Sequence, residues 1–327
     1  MGACSNIPTS EPGLSTFQHD FGGSRVPWTN SDFDDEPGKF TFAVFSDLTG
    51  GEREEVFEVA VEQLRLLRPE LIISVGDLIE GGTTDREILH NEWDWFDERA
   101  NRAHAPVFHV GGNHDLTNPD MWQVWEQRYG KRYYHFIYKN VLFLVLDTED
   151  NPPDLQRAIH EIRLDAIRVF DEQGWEAYAQ TEYASLEERK SGRIGAGQAD
   201  YFNKVISQHP EVRWTYIVMH KPAWERPDEE NFSRIEAALS ERPYTVFYGH
   251  VHSYLHEQRL GRDYIRLGTT GGSHAPRNPA AIDHVTLVTV SDDGEDIANI
   301  RMSGIFDKSG EIPLNGESIC LEMCAGQ

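Results

Sequence analysis

Five short polar segments hold most of the side chains with chemistry to offer. They are Ser46-Asp47-Leu48-Thr49, Gly76-Asp77, Gly112-Asn113-His114-Asp115, Met219-His220 and Gly249-His250-Val251-His252, and each directly follows an apolar run. The set supplies carboxylate and amide oxygen plus imidazole nitrogen, without thiolate. Such donors suit hard or borderline divalent ions (Mn, Fe, Zn or Ni) rather than a structural zinc. One carboxylate, best assigned to Asp77, can bridge two ions. Two ions ~3.5–4 Å apart clamp a phosphoryl group and make hydroxide from water. His114 beside Asp115 is a candidate general acid, because an imidazole near its useful pKa pairs well with a carboxylate. Singly each segment means little, since GD pairs and lone histidines are common. A glycine ahead of the ligand sharpens the signal, because it lets the chain turn tightly at a strand end.

Residues so far apart need a scaffold that gathers them. KFTFAVFS (39–46), LIISV (71–75), PVFHV (106–110), YYHFIY (133–138), VLFLVL (141–146), WTYIVM (214–219), TVFY (245–248), YIRL (264–267), HVTLVTV (284–290) and IANIRMSGI (297–305) read as strands. Apolar residues at helical spacing mark Val56–Leu67, the segment around Trp93, Trp95 and Phe96, Met121–Tyr129, and residues 196–208 and 231–240. Alternating strands and helices, then a run of strands, predict a layered α/β sandwich, with the ligands at the carboxyl ends of mostly parallel strands. Residues 151–195 interrupt the alternation and read as a helical insertion, with a stripe of Leu155, Ile159, Ile162, Ala166, Val169 and Phe170. The insertion is either a cap over the site or, preferred here, a packing element or a contact between copies in a homo-oligomer.

The chain of 327 residues carries 30 basic and 55 acidic side chains, a net charge of −25. Such a surface repels phosphate backbones and anionic lipid, which argues against nucleic-acid and membrane partners and for a small soluble substrate. No apolar run approaches the ~20 residues of a membrane span. Cys4, Cys320 and Cys324 stand at the two ends and form neither a disulfide framework nor a CxxC zinc pattern. Residues 1–38 read as an extended arm, 39–308 as the catalytic domain and 309–327 as a tail. No secretory signal is legible, so the plain expectation is cytoplasmic; Gly2-Ala3-Cys4-Ser5-Asn6 resembles the surroundings of a lipoprotein cysteine and would make the chain periplasmic or lipid-anchored if a leader once preceded it.

The five segments resemble the pattern of the calcineurin-like metallophosphoesterases: DxH, GD, GNH[D/E], a lone His, then GHxH. The resemblance spans about residues 40–275. It implies an αββα β-sandwich flanked by helices, two divalent metal ions and hydrolysis of phosphoric monoesters or diesters. By that resemblance Asp77 bridges, Asn113, His220 and His250 hold one metal, and Asp47 and His252 serve the other. His114 takes the place of the family's acid, oriented by Asp115. The first motif departs, with Thr49 where the family has His. That change predicts a weaker first site, since a neutral hydroxyl is a poor ligand. Purple acid phosphatases also lack this His and compensate with a Tyr three residues after the second-motif Asp, where this chain has Glu80. Glu80 either completes the site or, as preferred, is an acid that touches no metal. Thr270, Gly271 and Gly272 are candidates for a substrate rim whose amides would face an anion. Lys221, Trp224 and Arg226 are weaker candidates for substrate contact. The contrasting reading is an interaction module on the same scaffold, catalytically weak or without metal; a third is hydrolysis of a pyrophosphate bond.

Overall fold

The computed structural model describes residues 17–23, 25–31, 38–275 and 278–302. The cysteines, the tail and the end of the last expected strand fall outside them. Twelve strands form two sheets among the described residues. The smaller sheet runs β12 (Gly294–Arg301), β11 (His284–Ser291), β2 (Phe40–Phe45), β3 (Leu71–Ser74), β4 (Val107–Phe108). The larger runs β1 (Phe17–His19), β5 (Tyr134–Tyr138), β6 (Val141–Val145), β7 (Trp214–Val218), β8 (Tyr244–Tyr248), β10 (Arg262–Arg266), β9 (Leu255–Arg259). The central strands are parallel: β2, β3 and β4 in one sheet, and β6, β7, β8 and β10 in the other.

The architecture is αββα. The inner faces of the sheets meet through Phe42, Val44, Ile73, Phe136, Phe143 and Tyr216, all fully buried. On the outer face of the small sheet lie α1 (Val56–Leu67), α2 (Arg86–Ala100) and α3 (Pro119–Arg128). The outer face of the large sheet is covered by α8 (Ala196–Gln208) and α9 (Asn231–Ala238). Strands covered on both faces need no alternation, and every residue of β3, β6 and β8 is buried. Helix starts follow local chemistry. The Asp85 carboxylate accepts the amides of Glu87 and Ile88 ahead of α2, and Asn118 caps α3 with Pro119 at its first position.

Two strands were not expected from sequence. β9 is a polar edge strand, LHEQR, with no apolar period to reveal it. β1 lies in the segment read as an arm and pairs antiparallel with β5. Behind it Trp28 is buried against Phe17, Phe21, Phe108 and Tyr134, so Phe17, Phe21 and Trp28 extend the core between the sheets. Lys139 and Asn140 both take left-handed backbone, as a two-residue turn between β5 and β6 requires.

Residues 151–195 hold α4 (Pro153–Gln173) and three one-turn helices, α5 (Trp175–Tyr178), α6 (Glu182–Ser185) and α7 (Glu187–Lys190). They share a small core of Ile159, Ala166 and Tyr183.

Phe143 joins the sheets, with ring centroids 4.5 Å from Phe136, 5.2 Å from Phe42 and 5.3 Å from Tyr216. Phe143→Ala is expected to cost about 3–5 kcal/mol by denaturant unfolding; a loss under about 1 kcal/mol would mean the sheets do not depend on this ring.

Candidate metal centre

The parallel strands deliver their C-terminal ends to one edge of the sandwich. Asp47 follows β2, Asp77 follows β3, and Asn113-His114-Asp115 follow β4. From the other sheet His220 follows β7, and His250 and His252 follow β8. Residues from both sheets therefore meet across the mouth of the core. Asp77, His220 and His250 present ligand atoms within 4.8 Å of one another, and so do Asp47, Asp77 and His252. Asp77 belongs to both groups. His220 Nε2 lies 3.1 Å from Asp77 Oδ2 and 3.2 Å from Asn113 Oδ1, and His252 Nε2 lies 3.3 Å from Asp47 Oδ1. Spacings near 3 Å are what ligand bonds of ~2.1 Å around one ion impose.

The imidazoles are aimed by backbone. Nδ1–H of His220 donates to Val75 O at 2.9 Å, Nε2–H of His250 to Arg189 O at 2.7 Å, and Nδ1–H of His252 to Ser273 O at 2.6 Å. Each ring thus spends one nitrogen on a carbonyl, which fixes the tautomer and leaves the other for a ligand bond. His114 is held alike, donating from Nδ1 to Glu80 O at 2.9 Å. Its Nε2 and that of His252 would each stand 3.6 Å from a Cβ placed on Gly50, so the two rings face the same side.

The backbone bends to reach this arrangement. Asp77, His250 and His252 have φ of 57°, 73° and 55°, a left-handed conformation that costs non-glycine residues energy and gathers at functional sites. Close approach also demands glycine at two positions. A Cβ on Gly112 would stand 2.3 Å from Asp77 Oδ1, and one on Gly249 2.4 Å from Asp47 Oδ2.

Charge is the other constraint. Burial alone would raise Asp77, yet the His220 and His114 rings hold it well below the usual carboxylate range. Burial would lower His220, but Asp77 and then Asp47 carry it up to about 9. His252 is raised against burial by Asp47. His250 goes the other way, pushed well below its ordinary value by burial and by the Lys221 and His220 charges. Two buried carboxylates thus draw positive charge onto their neighbours. Divalent cations suit this donor set, which is oxygen and imidazole nitrogen throughout.

Several residues singled out in the sequence do other work. Asp115 does not orient His114. Its Oδ2 accepts the amides of Asp77 and Gly112 at 2.8 Å each, and its Oδ1 those of Leu78 at 2.8 Å and Ile79 at 3.1 Å. Burial and the Asp77 charge push its carboxyl up to about 7. Thr49 turns its hydroxyl to Ile79 O at 2.9 Å and Asp77 O at 3.2 Å, as a brace and not a ligand. Glu80 accepts the amides of Gly51 at 2.9 Å and Glu52 at 3.0 Å and holds the 50–52 turn. The rim expected at 270–272 is not an anion cradle. The amides of Thr270 and Gly272 both donate to Asp47 O, at 3.1 and 3.0 Å, and the Thr270 hydroxyl accepts the Ser46 amide. Gly271 gives its carbonyl to the Arg53 amide at 2.8 Å. Lys221 and Arg226 are buried and tie α7 down, Lys221 to Glu149 at 2.7 Å and Glu188 O at 2.6 Å, Arg226 to Glu188 at 2.8 Å. Trp224 packs on Tyr248 and Tyr264.

Sequence reading missed Arg53. Its guanidinium joins Gly272 O at 3.0 Å, Asp283 at 2.8 Å and Thr269 at 3.1 Å, so it fastens the Asp47 loop to the loop behind His252. Nothing in its local sequence marks it, because its partners lie more than 200 residues away.

The family profile of the calcineurin-like phosphoesterases matches residues 40–254, well over half the chain. No curated protein matches by sequence. Among solved structures, the chain is similar to a dimetal phosphatase from Danio rerio at 14% identity and TM-score 0.50, covering 81% of this chain and 99% of that one. It is also similar to a purple acid phosphatase from yellow lupin (Lupinus luteus) seeds at 13% identity and TM-score 0.54, covering 83% of this chain and 53% of that one. A structure of PhoD shares 14% identity at TM-score 0.51, covering 88% of this chain and 77% of that one. At such identities these likenesses establish the fold.

Asp283 gives the bracing network a measurable pH signature. Burial would raise its carboxyl, but His274 and Arg53 win and bring it down to about 2. A depressed carboxyl adds stability above its unfolded pKa of about 3.9 and loses it as pH falls toward 2. Asp283→Asn is expected to cost roughly 2 kcal/mol at neutral pH and to flatten the stability curve between about pH 4 and 2. Urea melts across that range check it; parallel curves for the two proteins would refute it.

Proposed function

The chain belongs to the calcineurin-like phosphoesterases, metal-dependent hydrolases of phosphoric esters, and from that footing we propose a dinuclear centre acting on a small, soluble phosphate monoester or diester. The observation that carries the reading is Asp77, whose carboxylate belongs to both groups of ligand atoms. Asp77 would be shared between the two ions, with Asn113, His220 and His250 available to hold one and Asp47 and His252 the other. Mn, Fe, Zn and Ni all suit such ligands.

When bound, two divalent ions polarise the phosphoryl oxygens and provide nucleophilic water at neutral pH. The protein supplies the rest. As the imidazolium, His114 keeps Nδ1–H on the Glu80 carbonyl and gives its Nε2 proton, on the side it shares with His252, to the leaving oxygen. Burial lowers the His114 pKa, only partly opposed by Asp77, which makes the ring a stronger acid. The Glu80 carbonyl keeps that ring from turning. Asp115 acts on backbone alone, locking the Asp77 turn to the Gly112 turn. Thr49 and Glu80 support turns, so the first site draws its protein ligands from Asp47, Asp77 and His252 and binds its ion more weakly than the second. The exterior, at −25 net charge, favours a compact substrate over a polyanion.

Elemental analysis of protein purified without chelator is expected to give about two ions per chain. Asp77→Asn should lose most of both, and His250→Ala and His252→Ala about one each. With Mn added, p-nitrophenyl phosphate or bis-p-nitrophenyl phosphate should turn over, and the better ester identifies a mono- or diesterase. Fewer than one ion with neither ester hydrolysed would leave the interaction-module reading. His114→Ala should lower kcat by ~10²–10⁴ with metal content unchanged; loss of metal along with activity would place His114 among the ligands instead.

A further inference from the structure

The helical insertion reaches the centre from two directions. Through α7 it gives the Arg189 carbonyl to His250. Through α4 it lies along the turn that carries His114, where Gln156 Nε2 donates to Leu116 O at 3.1 Å and Thr117 O at 3.0 Å. Arg163 stands two turns further along the same helix, on the face Gln156 occupies. It is only 9% exposed, yet among the described residues no carboxylate or carbonyl accepts a bond from its guanidinium. Comparably buried arginines are paired: Arg99 with Glu52 and Glu58, Arg226 with Glu188 and Asp228. No nitrogen of the Arg163 guanidinium is both sealed from solvent and unbonded, so the stem is buried while the charged head stays open to meet an anion.

The place of this guanidinium is specific. It packs on Gly82, where a Cβ would stand 2.4 Å from Nη1. Gly82 follows Glu80, whose carbonyl holds His114, by two residues. The residue before Gly82 lies against the His114 turn, since a Cβ on Gly81 would stand 2.1 Å from the His114 carbonyl oxygen. Arg163 thus stands beside the group read as the acid and is not among the ligands of either group.

We propose that Arg163 binds a second oxyanion of the substrate on the leaving-group side of His114, so that the preferred esters carry a carboxylate or a further phosphate on the leaving group. The proposal rests on the reading of His114 as the group that protonates the leaving oxygen. The phosphoryl group itself is met at the ligand cluster, and a planar guanidinium matches a second oxyanion with two parallel hydrogen bonds. Selectivity for such esters then resides in the insertion.

The test compares three non-hydrolysable probes by calorimetry on the metal-loaded protein: propylphosphonate, 3-phosphonopropionate and propane-1,3-bisphosphonate. They share one phosphonate and differ in the distal group. The wild type is expected to bind at least one of the two doubly anionic probes about tenfold or more tightly than propylphosphonate. Whichever is favoured names the distal group as carboxylate or phosphate. Arg163→Gln should erase that preference to within about twofold while leaving propylphosphonate affinity and metal content unchanged, and Arg163→Lys should keep part of it. The idea is overturned if the wild type shows no preference, if the preference survives Arg163→Gln, or if that variant weakens all three probes alike. Should Arg163→Gln fail to fold, an undiminished preference in Arg163→Lys overturns it equally, because a point charge lacks the fork. A preference without hydrolysis of any ester would sink the hydrolase reading and keep Arg163; hydrolysis without a preference would do the reverse.

Discussion

Two carboxylates buried at the open edge of a sandwich make a demand that much of the molecule answers. Asp47 and Asp77 have 0% and 2% exposure, where an ionised group is expensive unless its charge is met. Some of the answer is backbone. His250 N–H reaches Asp47 Oδ1 at 2.9 Å, and His114 N–H reaches Asp77 Oδ1 at 2.8 Å. These amides belong to residues that themselves face the centre, so meeting the charge and positioning the site are one operation. The left-handed conformations of Asp77, His250 and His252 are the backbone cost of that operation. Asp115 shows how far it extends, since a third buried carboxylate is spent wholly on four amides of the turns beside Asp77.

The same demand explains the unusual first motif. A threonine in place of the third-position histidine removes a ligand, but it does not leave a loose loop. The Thr49 hydroxyl and the Glu80 carboxylate each hold turns that flank the centre, and Arg53 stitches the Asp47 loop to residues 269–283. Rigidity has been kept where coordination was given up.

The fold was largely legible because its signals are local. Apolar runs, helical stripes and strand-end glycines survive as patterns in the chain, and all five ligand segments fall at strand ends as expected. What escaped is instructive. β9 is polar, and β1 is three residues in a segment rich in Ser, Gly and Pro, so neither has a period to read. The site was legible by residue type and less so by role. Asp115, Thr270 and Gly272 looked like chemistry because of where they stand in sequence. Their hydrogen bonds run to backbone, which side-chain identity does not disclose. Arg53 and the Arg189 carbonyl were invisible for the complementary reason: their partners are remote in sequence, and a carbonyl carries no residue signature.

The insertion changes what the negative exterior means. Read as composition, −25 is a reason to expect weak binding of any anion. Local geometry opposes that field at a few points. Lys221 and Arg226, both cations, are consumed in fixing α7, which lets the Arg189 carbonyl aim His250. Arg163, its stem buried and its guanidinium without a protein acceptor among the described residues, stands at the turn that carries the proposed acid. A net charge of −25 opposes large polyanions, and on the proposed reading a small anion would meet Arg163 locally. On the proposed reading the insertion forms one wall of the site, through the Arg189 carbonyl, Gln156 and Arg163.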